Sequence, residues 1–238
     1  MMPSRKEEAL YNQLRRLGQR LHIPIPEAFW ELEVQDGNGR VIQRLKQRSH
    51  SWVRNAYNLI VCQAAAVAGD SAVGLAIVDT GGVTRSDATT QPASGWSSSG
   101  SGNMRIYVNS TYGFYAQAGV DNMGIVVGSS SAAENFDGHA LGSKISSGNG
   151  AGQLAYSAMD APSVSTIGTT KQVVWTRYFN NNSGEAITVN EVGIYTKGTC
   201  DGYTVYYMMC RDLVSGGVTV PDTGQLKVTY TVQLTYPA

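Results

Sequence analysis

Charge is the scarcest ingredient of this chain. Asp, Glu, Lys and Arg make up 15% of its 238 residues, against roughly 25% in an average soluble protein. Eighteen basic and eighteen acidic residues cancel, and no basic stripe of the kind that follows a phosphate backbone is present, which argues against a specific nucleic-acid partner. Cysteine is nearly absent. Cys62, Cys200 and Cys210 form an odd set without C-x-x-C spacing, which speaks against a disulfide framework and a zinc site and leaves only a Cys200–Cys210 bridge open. No apolar run approaches 18 residues, so no membrane span is expected. The first residues lack the charged-then-apolar build of a signal peptide, and the expectation is synthesis in a cytoplasm.

Ser, Thr, Asn and Gly take the place of charge. Hydroxyl and amide groups keep a surface wet without long-range repulsion, a composition suited to subunits packed side by side. The charge that exists is divided unevenly. Residues 1–54 hold ten Lys/Arg and six Asp/Glu, a net of +4, and residues 55–238 hold eight and twelve, a net of −4. Opposite signs on two parts of one chain favour head-to-tail contact between copies.

Ser4-Arg5-Lys6-Glu7 has capping-box form, and Leu10, Leu14, Leu17 and Leu21 follow at spacings of four, three and four. These predict an amphipathic helix over 4–21, ended by Pro24 and Pro26. Its leucine stripe must be covered by its own domain or by a neighbouring copy. Residues 28–35 and 41–48 flank Asp36-Gly37-Asn38-Gly39, a hairpin turn. That turn only loosely matches a calcium loop, since the later acidic ligands are missing. A second helix is expected over 52–67, with Trp52, Ala56 and Leu59 or Ile60 on one face.

From residue 71 onward the pattern is strands and loops: short strands at 73–78 and 123–128, then 171–179, 186–196, 203–211 and 226–236, the last with nearly strict alternation. The predicted fold is mainly β, an antiparallel sandwich or jelly roll, preceded by a helix, a hairpin and a second helix. Three segments follow: an arm at 1–26, hairpin plus helix at 27–70, and the sandwich at 71–238. The Gly/Ser-rich stretch 94–103 is read as a flexible surface loop, and the long Gly/Ser-rich segment 129–170 as contact surface or disorder.

No catalytic constellation emerges. His22, His50 and His139 stand in unlike contexts without a second ligand at helical or loop spacing. Gly148-Asn149-Gly150-Ala151-Gly152 lacks the Lys-Ser/Thr of a phosphate loop. Asp160, Glu185 and Asp201 are carboxylates with no shared motif. No enzyme, metal or cofactor is expected. Aromatic usage is more telling. Thirteen tyrosines against four phenylalanines favour rings with a polar tip, common at interfaces, and Tyr107, Tyr112, Phe114 and Tyr115 form one candidate contact cluster. Glu191, inside an otherwise apolar strand, is expected to pair with Arg177 or Arg211 and to lock register.

Several patches share an order with a known family. Arg177-Tyr178-Phe179-Asn180-Asn181-Asn182-Ser183-Gly184-Glu185 runs on to Ile187-Thr188-Val189-Asn190-Glu191-Val192-Gly193-Ile194-Tyr195. Arg211-Asp212-Leu213 and Val218-Thr219-Val220-Pro221 come after it, and Ser51-Trp52-Val53-Arg54-Asn55 and Gly124-Ile125-Val126-Val127-Gly128 before it. Together they resemble structural proteins of tailed bacteriophages. The resemblance implies a virion subunit, in tail, baseplate or capsid-associated position, whose partners are copies of itself and other virion proteins. A tail module that binds a host surface glycan or receptor is the alternative it allows.

Overall fold

The computed structural model describes residues 5–65, 75–85, 114–200 and 203–236. The elements are helix α1 (Arg5–Leu21), strands β1 (Ile25–Gln35) and β2 (Val41–Arg48), helix α2 (Arg54–Ala65), and strands β3 (Ile77–Val78) and β4 (Thr84–Arg85). Seven more strands follow: β5 (Gly124–Gly128), β6 (Ala155–Tyr156), β7 (Ser163–Ile167), β8 (Thr170–Asn180), β9 (Ile187–Cys200), β10 (Tyr203–Val220) and β11 (Gln225–Thr235). The protein is mainly β, built of antiparallel sheets in a sandwich-like arrangement.

One sheet runs β2-β1-β11-β8-β6, with β7 also on β8; the second runs β10-β9-β5; β3 and β4 form a small ribbon. Alternation decides which side chains face inward. On β1 these are Trp30, Leu32 and Val34, and on β11 they are Leu226, Val228 and Tyr230, all buried. They join Ile125, Val127, Val192, Ile194, Met208 and Val218 of the second sheet in one apolar core. Each such side chain stabilises the fold by about 1.5–3 kcal/mol on full burial. Trp30 and Tyr230 are ladder partners, with ring centroids 4.2 Å apart.

The hairpin turns where expected. Asp36 accepts the N–H groups of Asn38 and Arg40 at 3.0 Å each, and Gly39 takes φ of +76°, a conformation glycine adopts freely. The hairpin is not a unit apart from the sandwich, however. β1 pairs with β11 along its whole length, from Ile25 with Thr235 to Gln35 with Gln225, so its apolar face belongs to the common core. The two sheets are also stitched by side chains. Gln47 exchanges bonds with the backbone of β10, donating to Leu213 O at 2.7 Å and accepting from Ser215 N at 3.2 Å.

The segment 129–170 contains β6 and β7 and is pinned by side chains rather than periodicity. Its anchor is Glu191, at the fully buried end of the β5–β9 pairing. It accepts the N–H groups of Gly142 (3.0 Å), Ser143 (2.8 Å) and Ser130 (3.3 Å). Gly128 is needed beside it, because a Cβ there would run into the Glu191 carboxylate and Ser143 O. Cys210 is a buried free thiol whose ladder partner is Ile194, whereas Cys200 pairs with Tyr203. The Cys200–Cys210 bridge left open by the sequence is therefore not formed.

Candidate functional site

Helix α1 is docked with its polar face inward. Glu8, Tyr11, Arg15 and Gly18 form a stripe at helical spacing, turned toward β1 and the end of β2. Arg15 grips Glu27 of β1 with two bonds, Nε to Oε1 at 2.7 Å and Nη2 to Oε2 at 2.9 Å. Arg48, the last residue of β2, donates to the same Glu27 carboxylate and, at 2.7 Å, to Glu8. Its guanidinium lies over the rings of Tyr11 (3.7 Å to the centroid) and Phe29 (4.7 Å), so cation–π attraction adds to the charge pairing. His50 Nε2 stands 3.0 Å from Glu7 Oε1.

Burial works to raise the Glu27 carboxyl, but hydrogen bonds from Arg15 and then Arg48 outweigh it and hold it below the ordinary carboxylate range. Glu8 is also lowered, chiefly by its hydrogen bond from Arg48. Both glutamates are therefore ionised in the docked state, and attraction rather than apolar burial seats the helix.

The consequence falls on the leucines. Leu10, Leu14, Leu17 and Leu21 point away from the body and remain 58%, 42%, 52% and 56% exposed. Ile23 continues the strip at half exposure. In an ordinary amphipathic helix the apolar stripe faces the core. Here the helix is inside out.

Helix α2 repeats the theme in part. It buries Asn55, Ala56, Asn58 and Leu59. Asn55 pairs with Val78 as a strand would, Nδ2 to O at 2.7 Å and Oδ1 from N at 2.9 Å, and Asn58 donates to Ala76 O at 2.7 Å. Tyr57, Ile60 and Val61 face outward, about half exposed. Tyr57 meets the equally exposed Phe136, with ring centroids 5.7 Å apart. Ile60, an alternative to Leu59 for the packed face, lies on the outer side; Trp52 precedes the helix and donates to Tyr230 Oη at 2.8 Å.

Of the two arginines considered for Glu191, Arg211 makes the pair, Nε to Oε2 at 2.6 Å, and reaches on to Ala132 O and Ala133 O. Arg177 goes elsewhere. Fully buried, it donates to five backbone carbonyls, those of Gln117, Val120, Met123, Ile125 and Ser157, at 2.6–3.1 Å. Desolvation pulls its pKa down to about 10, which leaves it protonated at neutral pH. Its planar fork matches that cluster of acceptors in a way a point charge does not. Phe114 and Tyr115 are partly buried against the protein's own core, Phe114 edge-on to Trp175 at 5.9 Å. Tyr107 and Tyr112, with the loop 94–103, Cys62's side chain and Asp201, lie outside the described residues.

The remaining polar groups are occupied structurally. Asp212 accepts from Trp30 Nε1 (2.8 Å), Ser49 Oγ (2.6 Å) and His50 N (2.8 Å), joining β10 to the other sheet. Burial raises its pKa against the pull of those donors. Glu185 accepts Gly152 N–H at 3.0 Å, Asp160 is exposed, and the His139 ring rests against Gly82. Among the described residues no group of three or more metal-ligating side chains occurs, and no helix is long and apolar enough to cross a membrane. Set beside known proteins, the chain matches no family model, no curated protein and no solved structure.

Proposed function

We propose that this chain is a structural subunit that assembles with copies of itself, and that its place is the virion of a tailed bacteriophage. One observation carries the assembly reading: α1 is fixed to the body by Glu8, Arg15, Glu27 and Arg48 and holds four leucines in water. Exposed apolar strips of this kind mark interaction surfaces. A low-charge surface suits repeated close packing, and contacts multiplied by symmetry stabilise an assembly even when each is modest. The virion assignment rests on the sequence patches between residues 51 and 221.

Light scattering over a range of concentrations tests the assembly reading. The wild-type chain should exceed its monomer mass as concentration rises. Leu14→Glu with Leu17→Glu should return it to monomer with an unchanged melting temperature, because both positions are exposed. A wild-type protein that stays monomeric at every concentration overturns the reading. An antibody against the chain should label intact particles, and unlabelled particles overturn the virion assignment.

A further inference from the structure

Two apolar helix faces stand open on one chain, and they are complementary. The first is the leucine stripe of α1, which spans about 17 Å from Leu10 to Leu21 at ~1.5 Å per residue and is rimmed by exposed Lys6, Arg16 and Arg20. Glu8 is turned inward to Arg15 and Arg48, and Glu7, partly buried, faces His50 and Arg48, so the exposed charges beside the stripe are basic. The second is the strip Tyr57, Ile60 and Val61 of α2, extended by Phe136. On α2 the strip from Tyr57 to Val61 covers about 6 Å, and Phe136 widens it sideways. Exposed Glu134 and Asp137 flank Phe136, and Arg54, which lies over the Phe136 ring, pairs with Asp137 at 2.5 Å, leaving these three groups at a net charge of −1. The two faces do not cover each other within one molecule, since both are exposed in the same structure.

Building on the self-assembly reading, we infer that α1 of one copy docks on the α2–Phe136 face of the next. Pairing α1 with α1 of a second copy buries leucines equally well but brings Lys6, Arg16 and Arg20 against themselves. Pairing α1 with α2 instead sets Lys6, Arg16 and Arg20 against a face of net −1, where Glu134 and Asp137 outnumber Arg54. Two different surfaces meeting in this way form a heterologous contact, which generates a closed ring or an open filament rather than a two-fold dimer.

Mixing variants tests the arrangement. Variant one is Leu14→Glu with Leu17→Glu, and variant two is Ile60→Lys with Val61→Lys; all four side chains are exposed. Each alone should be monomeric at concentrations where the wild type assembles, with association weakened about tenfold or more. Mixed, they should form one-to-one complexes, because the second supplies an intact α1 and the first an intact α2 face. If variant two assembles like the wild type, or the mixture stays monomeric, the α1-to-α2 contact is wrong while self-assembly itself still stands. Phe136→Ser, on a loop outside both helices, should mimic variant two and guards against misfolding of α2. A wild type that never associates instead removes the assembly reading beneath both.

Discussion

Replacing Glu27 with alanine tests the seating of α1 most directly. Glu27 is shared by Arg15 and Arg48. The Arg48 limb joins side chains only 2% and 1% exposed; removing one partner of such a pair costs about 3–5 kcal/mol, because the other charge is stranded. Glu8 keeps a grip on Arg48, which places the loss near the lower end, about 3 kcal/mol. Arg15 retains nearly a third of its surface in water, so its limb adds no more than about 1 kcal/mol. A helix of 17 residues is little longer than the ~12–15 below which isolated helices are marginal in water, and its stability comes mainly from its docking. The helix should therefore detach and fray while the sandwich persists. Hydrogen exchange should show lost protection across Arg5–Leu21 and retained protection on β8, β9 and β11. Acid should act alike on the wild type. Carboxyl pKa values lowered by folding give stability that is present above the unfolded value of about 4.3 and lost as pH falls through the folded one. The arm should thus loosen below about pH 4, and the Glu27→Ala protein should show less of that acid step. Protected α1 amides in the variant at neutral pH refute the electrostatic seating, and equal loss of protection across all strands refutes its local character.

Three further outcomes are expected. Glu191→Ala should lower stability by about 3–5 kcal/mol by stranding Arg211, and the double change Glu191→Leu with Arg211→Met should recover only part in urea unfolding, because the N–H groups of Gly142 and Ser143 stay without their acceptor; full recovery refutes the loop-anchoring role. Arg177→Lys should lower the melting temperature despite the kept charge, since three donors cannot serve five carbonyls and each orphaned one costs about 1–3 kcal/mol. An unchanged melting temperature contradicts this. Asp212 has a raised folded pKa, so its contribution falls as pH rises from the unfolded value near 3.9 through the folded one. Asp212→Asn should lower stability at acid pH by losing an acceptor but flatten that decline, read from melting temperatures across pH 3–8; a parallel curve counts against it.

Local periodicity made most of the strands legible. β11 alternates from Leu226 to Tyr230, β8 follows within a residue, β9 starts within a residue of expectation, at Ile187, but runs four residues further, to Cys200, and the turn at Asp36–Gly39 carries its own chemistry. Pairing partners were not legible. Nothing near Trp30 says that its neighbour is Tyr230, because register over such a separation is set by which faces must share a core. The leucine spacing revealed a stripe on α1 without revealing which side docks. A second signal was present in Glu8, Tyr11 and Arg15, spaced three and four apart, opposite a strand carrying Glu27. Glycine and serine in 129–170 suggested looseness, yet Glu191 and Arg211 hold its first part, 130–143, through backbone amides and carbonyls, bonds that side-chain patterns do not display.

The union of β1 with β11 has a consequence for how the chain is made. β1 leaves the ribosome early and its central-sheet neighbour follows some two hundred residues later. Until then the nascent hairpin offers Trp30, Leu32 and Val34 to solvent with no lid. Contacts so distant along the chain are costly in loop entropy and slow to form, and half-finished sheets are prone to stray pairing. Productive folding should accordingly be late, after release of β11, and holdase chaperones or lowered growth temperature should raise the yield of native protein.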